Sequence, residues 1–184
     1  FFLPVVTVMA AAAVIWTLLF NANGLVNAIM ETITFGAFSP DWLNSTTWAL
    51  PAMMLVGIWQ GVGFQMVIVL AGLQAVPSEL YEAAAIDGAG RWSSFWHITL
   101  PQLRNTLIFV VLVTTILAFR MFDQVQIMTQ GGPHDASTTL MFEAVQAGFD
   151  RQQVARGAAM TVVLFLVVLA ISWLQRRVSS QERR

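Results

Sequence analysis

Four stretches of the sequence are too long and too apolar to be packed inside a water-soluble domain. Residues 1–20, 48–76 and 157–174 contain no charge, and residues 105–128 contain only Arg120 and Asp123, both near the end of the run. A hydrocarbon core about 30 Å thick takes roughly 20 apolar residues as helix. The reading is therefore an all-α polytopic membrane protein with four transmembrane helices, about 1–20, 48–76, 105–128 and 157–174, in one domain over 1–184. The second run exceeds what the bilayer needs, so it tilts or projects from it. Pro4 sits near the start of the first, where proline is tolerated.

Composition agrees. Residues are 57% hydrophobic and 10% charged, with mean hydropathy +0.70, against about 25% charged in soluble domains. A net charge of −1 gives no basic face for nucleic acid. With no cysteine, thiolate metal sites and cysteine nucleophiles are excluded. All nine basic residues are arginine, which excludes a P-loop lysine and Schiff-base chemistry. His97 and His134 lack ligand spacing, so no metal is expected. Nor is there a His-x-x-x-His or Ser/His pattern for an intramembrane enzyme. The chain begins at Phe1 inside an apolar run, without the basic start of a signal peptide. It is expected to be part of a longer protein whose N-terminal helices precede it.

The arginines set the orientation. Arg91, Arg104, Arg176, Arg177, Arg183 and Arg184 fall on one side of the membrane, and only Arg151 and Arg156 on the other. The positive-inside rule makes the first side cytoplasmic, which places the loop 77–104 and the C-terminus in the cytoplasm. Trp16, Trp42, Trp48 and Trp173 lie near the predicted interfaces. Residues 21–47 read as a turn-rich connection, and residues 140–149 as a short amphipathic helix.

The loop 77–104 is far longer than a connector of about 2–8 residues. Ser78 to Asp87 reads as a short helix with Ser78 as N-cap and Glu79 at its positive end. Gly88 and Gly90 break it, and a second helix from Arg91 is expected to stop before Pro101. Tyr81, Ala84, Trp92, Phe95 and Trp96 give this protrusion apolar surface rimmed by charge, which marks a protein partner.

Within it, Glu82-Ala83-Ala84, then Gly88, Ile98 and Leu100-Pro101 at fixed spacing, resemble the EAA motif of permease subunits in binding-protein-dependent ABC importers. The surrounding LAGLQAVPSELYEAAAIDGAGRWSSFWHITLPQLRNT, and Phe122-Asp123 followed by Met128-Thr129-Gln130-Gly131-Gly132-Pro133, are similar to the carbohydrate branch, of the maltose and glycerol-phosphate type. The resemblance covers essentially the whole chain. It implies a carbohydrate permease paired with a second, related permease, two ATPase subunits and an extracytoplasmic solute-binding protein in a bacterial inner membrane. The chain itself would carry no cofactor, ATP and Mg being bound by the ATPase subunits. The loop would be the coupling helix, with Glu82, Ala83, Ala84, Asp87, Gly88, Ile98, Leu100 and Pro101 forming the ATPase contact.

Thr114, Leu117, Ala118 and Met121 follow i, i+3, i+4, i+7 spacing and so share one helical face. They and Gln60, Gly61 and Phe64 match the positions that line the sugar site in maltose-type permeases. An amide, a hydroxyl and a ring suit a sugar; the alternative is that small residues such as Gly61 and Ala118 serve helix packing. Arg120 and Asp123, three apart, are expected to pair or to reach water, with attraction of an anionic solute as a further reading. A secondary transporter is the rival class. It would show midplane carboxylates or broken helices, and has no use for a glycine-bent cytoplasmic protrusion.

Overall fold

The computed structural model describes residues 3–181, with side chains through Arg177. Among these the regular structure is entirely helical: α1 (Leu3–Val6), α2 (Met9–Leu19), α3 (Leu25–Thr34), α4 (Ala49–Gln74), α5 (Ser78–Ile86), α6 (Arg91–Ser94), α7 (Leu100–Phe119), α8 (Leu140–Val145) and α9 (Val154–Gln181). Phe95–Thr99, Val125–Thr129 and Gln146–Asp150 form π turns. Three helices are long and apolar enough to cross a bilayer: Ala49–Gln74, the continuous rod Arg91–Phe119, and Val154–Arg177. The expected second and fourth spans are thus continuous helices.

The other two expected spans are each broken. In the first, whose residues 1 and 2 lie outside the described part, Val8 is extended (φ −60°, ψ 127°) and separates α1 from α2. The eleven residues of α2 rise only about 16 Å. In the third, α7 ends at Phe119, and helix resumes at Asp123.

Contacts along α4 set the depth of both breaks. Gly72 abuts α7 so closely that a Cβ there would stand 2.8 Å from Thr106 Oγ1, and Gln65 Nε2 donates to Thr114 Oγ1 at 2.8 Å. Beyond the break, Gln124 lies against Gly57 and Thr129 Oγ1 is 3.7 Å from Met53 Sδ. From Thr106 to Thr129 the chain therefore climbs α4 from Gly72 to Met53, and Arg120–Phe122 falls level with Gln60. Gln60 Nε2 itself donates to the Thr7 carbonyl at 3.0 Å, beside the other break. Gln60 is eleven residues from Ala49 and fourteen from Gln74, or about 16 and 21 Å at 1.5 Å per residue. Both breaks sit near mid-depth.

The packed core lies at the Ala49 end of α4. Ala13, Phe20, Trp42, Ala52, Met53, Val56, Val125, Met128 and Phe142 are buried together. Trp42 meets Phe20, Phe38 and Trp48 with ring centroids 5.4–6.2 Å apart, the tilted and edge-on range that aromatic quadrupoles favour. The turn-rich reading of residues 21–47 missed α3. That helix brings buried Asn27 to Trp42, whose Nε1 donates to Asn27 Oδ1 at 2.7 Å. The Asn27 amide in turn donates to the Ala22 and Pro40 carbonyls.

Residues 140–149 are helical as expected. Thr139 caps α8 by accepting from Phe142 N–H, and π turns extend it to Asp150. Gly157 lets α9 cross this segment, since a Cβ would stand 2.8 Å from the Ala144 carbonyl.

Candidate functional site

At the Gln74 end of α4 the loop 77–104 forms two antiparallel arms. Ser78 is the first helical residue of α5, not its cap: Pro77 occupies that position and no side chain caps it. The helix closes as expected on Gly88, which has φ +77° and nothing within 4 Å of a hypothetical Cβ. Gly88 N–H reaches the Ala85 carbonyl and Ala89 N–H the Ala84 carbonyl. This is the Schellman closure, which favours glycine because only glycine takes a left-handed backbone without strain.

The second arm corrects the expectation that Pro101 ends a helix. Residues 91–119 are one rod. Phe95–Thr99 widen into a π turn, with Leu100 N–H bonded to the Phe95 carbonyl, and Pro101 falls in the first turn of α7. Inside that rod its missing N–H leaves a carbonyl of the preceding turn without its helical donor, and the wide turn there accommodates this and relieves the clash of the proline ring.

Tyr81 serves the loop's own shape and not its exposed apolar surface. Its ring turns inward, half-buried, and its hydroxyl meets Thr99 Oγ1 at 2.9 Å, tying the arms together. Between them lies a cleft of about 420 Å³ lined by Tyr81, Ala85, Arg91 and Phe95 among others. Glu82, Ala83, Asp87 and Gly88 are exposed, Ala84 and Ile98 half-buried. Ile86 is 87% exposed and Trp92 78%. Ile86, beside the glycine bend, is a residue the sequence reading passed over.

The mid-depth group is partly assembled. Gln60, Gly61 and Phe64 lie on α4, and Thr114, Leu117 and Ala118 on the facing α7, with Phe64, Thr114, Leu117 and Ala118 exposed. Met121 leaves the group: α7 ends two residues earlier, and Met121 instead packs against the core. Gln60 and Thr114 do not meet. Gln60 serves the Thr7 carbonyl, while Thr114 accepts from Gln65 and donates to the Val110 carbonyl. Gln65 was absent from the sequence reading, although it lies four residues after Gly61 and so one helical turn on from it. The free Met121 carbonyl at the break accepts from Thr139 Oγ1 at 2.8 Å.

Arg120 and Asp123 do not pair. The helix between them is interrupted, both are exposed, and among the described residues the ion pairs join Glu143 to Arg151 and Arg156 instead. No cluster of metal-ligating side chains occurs among the described residues.

This architecture has known counterparts. The chain is 35% identical over 182 residues to the arabinooligosaccharides transport system permease protein of Bacillus subtilis, covering 97% of this chain and 57% of that protein. It is 36% identical over 155 residues to the sulfoquinovosyl glycerol transport system permease protein of Agrobacterium fabrum, covering 84% of this chain and 50% of that protein. The chain thus spans little more than half the length of these relatives. A crystal structure of a bacterial ABC transporter that imports the acidic polysaccharide alginate matches the fold with TM-score 0.84 at 22% identity, over 98% of this chain and 63% of its counterpart. All of residues 1–184 match the family described as binding-protein-dependent transport system inner membrane component. The chain belongs to that family, and is a multi-pass membrane protein.

Proposed function

We propose that this chain is the transmembrane permease portion of an ATP-driven importer for a carbohydrate or sugar-like solute. It forms half of the translocation pathway and is driven through the 77–104 loop by a cytoplasmic ATPase. The observation that carries this is the loop's shape. Two arms locked by the Gly88 closure and the Tyr81–Thr99 bond project from the spans, holding Ile86 and Trp92 bare beside Glu82 and Asp87. Apolar side chains held out on a rigid element and ringed by charge are a docking surface.

On this reading Glu82, Ala83, Ala84, Asp87 and Gly88 form the coupling face, and Ile98, Leu100 and Pro101 fix its angle to α7. The loop and C-terminus are cytoplasmic, as the arginine distribution requires. The chain is not itself an enzyme: two partner ATPase subunits bind ATP and Mg, an extracytoplasmic protein delivers the solute, and a related permease supplies the other half of the pathway. The sugar preference rests on the named relatives and on the mid-depth Gln60, Phe64 and Thr114.

The test is transport by the full importer carrying Glu82→Lys or Gly88→Val. The first reverses a charge on the exposed face. The second puts a β-branched residue at φ +77°, a strain of about 1–3 kcal/mol. Solute-stimulated ATPase activity and uptake should both fall by an order of magnitude at normal membrane levels of the protein. Unchanged uptake in both variants would remove the coupling role.

A further inference from the structure

The two helix breaks share one depth, and a charge sits at one of them. Arg120 follows the last residue of α7, level with Gln60 and so about 16–21 Å from either end of α4. It is exposed and makes no side-chain hydrogen bond or ion pair among the described residues. Its backbone (φ −91°, ψ 9°) is still close to helical, and its N–H bonds to the Leu117 carbonyl. Arg120 therefore keeps register with Leu117, three residues back, one helical turn along and at the edge of the Thr114–Leu117–Ala118 face. An arginine reaches about 7 Å, less than half the distance to the nearer end of α4, so snorkelling does not bring it to the surface. A bare guanidinium at that depth is stable only where it faces water or a partner, and interrupted backbone is tolerated only in the same circumstances.

Asp123 lies on the other side of the break, out of helical register with Leu117, at the start of the resumed helix. The positive end of that helix offsets part of its charge, as the negative end of α7 offsets part of that of Arg120. The two charges are thus held apart by geometry instead of neutralising each other.

We propose that the Arg120–Phe122 break gives the translocation pathway a fixed cation at mid-depth, so that the preferred solutes carry an anionic group (carboxylate, sulfonate or phosphate) as well as hydroxyls. This rests on the permease reading above and narrows its solute class. Gln65, Thr114 and Gln60 supply the polar contacts for hydroxyls, and Arg120 the charge-assisted one.

The chain has no native cysteine, so its pathway can be mapped with charged thiol reagents in the complete reconstituted importer. With Leu117→Cys, anionic sulfonatoethyl methanethiosulfonate should react about tenfold faster than its cationic trimethylammonium analogue, each normalised to a free thiol, as a unit charge within several ångströms dictates. Adding Arg120→Gln should bring the ratio to about one, and adding Asp123→Asn should raise it. Ala118→Cys provides the same readout if the first position disturbs assembly. Failure of both reagents at both positions, a ratio unmoved by Arg120→Gln, or faster reaction of the cation would each overturn the proposal. Labelling needs no transport, so its outcome is separate from that of the Glu82 and Gly88 variants.

Discussion

The two ends of α4 are built on opposite rules. At the Ala49 end, rings from four segments interlock, and the polar groups among them are satisfied within the chain: Asn27 takes the Trp42 N–H and gives its own amide protons to two carbonyls. At the Gln74 end the equivalent aromatic side chains, Trp92, Phe95 and Trp96, touch mainly one another and stay exposed. The backbone there is no less ordered, since the Schellman closure and the Tyr81–Thr99 bond fix it. The difference teaches that rigidity and completeness are separate properties. One end is finished by its own sequence, and the other holds its apolar side chains in place but uncovered.

Substitutions should divide along this line. Trp42→Ala empties the centre of the aromatic cluster and should cost about 3–5 kcal/mol, read as loss of folded protein on heating in detergent. Trp92→Ala should leave that midpoint unchanged while weakening ATPase association; a comparable loss of stability would erase the distinction between the ends. Asn27→Leu strands the Trp42 N–H and two carbonyls, and about 1–3 kcal/mol should be lost, measured by the same melt. Gln60→Leu removes one hydrogen bond to the Thr7 carbonyl, a net effect of about 0.5–1.5 kcal/mol. It should also lower uptake while ATPase stimulation by the loaded binding protein persists. If Gln60→Leu leaves uptake and solute preference untouched, Gln60 is only a staple for the first break.

How much of this was legible beforehand follows from how local each cause is. The bend of the 77–104 loop was readable because a glycine closure is written in adjacent residues: Gly88 turns the chain as its position implied. The continuous helices within 48–76 and 157–174 were readable from the absence of charge alone. The interruptions of the other two apolar runs were not, because Thr7–Val8 and Arg120–Phe122 are bonded to partners far away in sequence, Gln60 and Thr139. That placed Met121 on a helical face it does not share, and of the readings open for Arg120 and Asp123 the break removes the pairing. Pro101 misled for a related reason: a proline stops an α-helix, yet a preceding π turn absorbs it. The α3 helix did carry a 3.6-residue rhythm, with Val26, Met30 and Thr34 on its inner side. Leu25, Ile29 and Ile33 continue the same apolar side and stay exposed; the amphipathic contrast of α3 is strong, and the turn residues on both sides of it, Asn21, Asn23, Gly24, Ser39 and Pro40, masked it.

The claim that the Gln74 end is a docking element is tested most directly at Ile86, which is almost fully exposed at the glycine bend. Ile86→Cys would be the only thiol in this chain. In the permease pair stripped of its ATPase subunits it should react with a soluble maleimide at the rate of a free thiol, and in the complete importer it should be protected at least about tenfold. Equal reaction in the two states would contradict the account, leaving the protrusion a rigid surface that nothing covers.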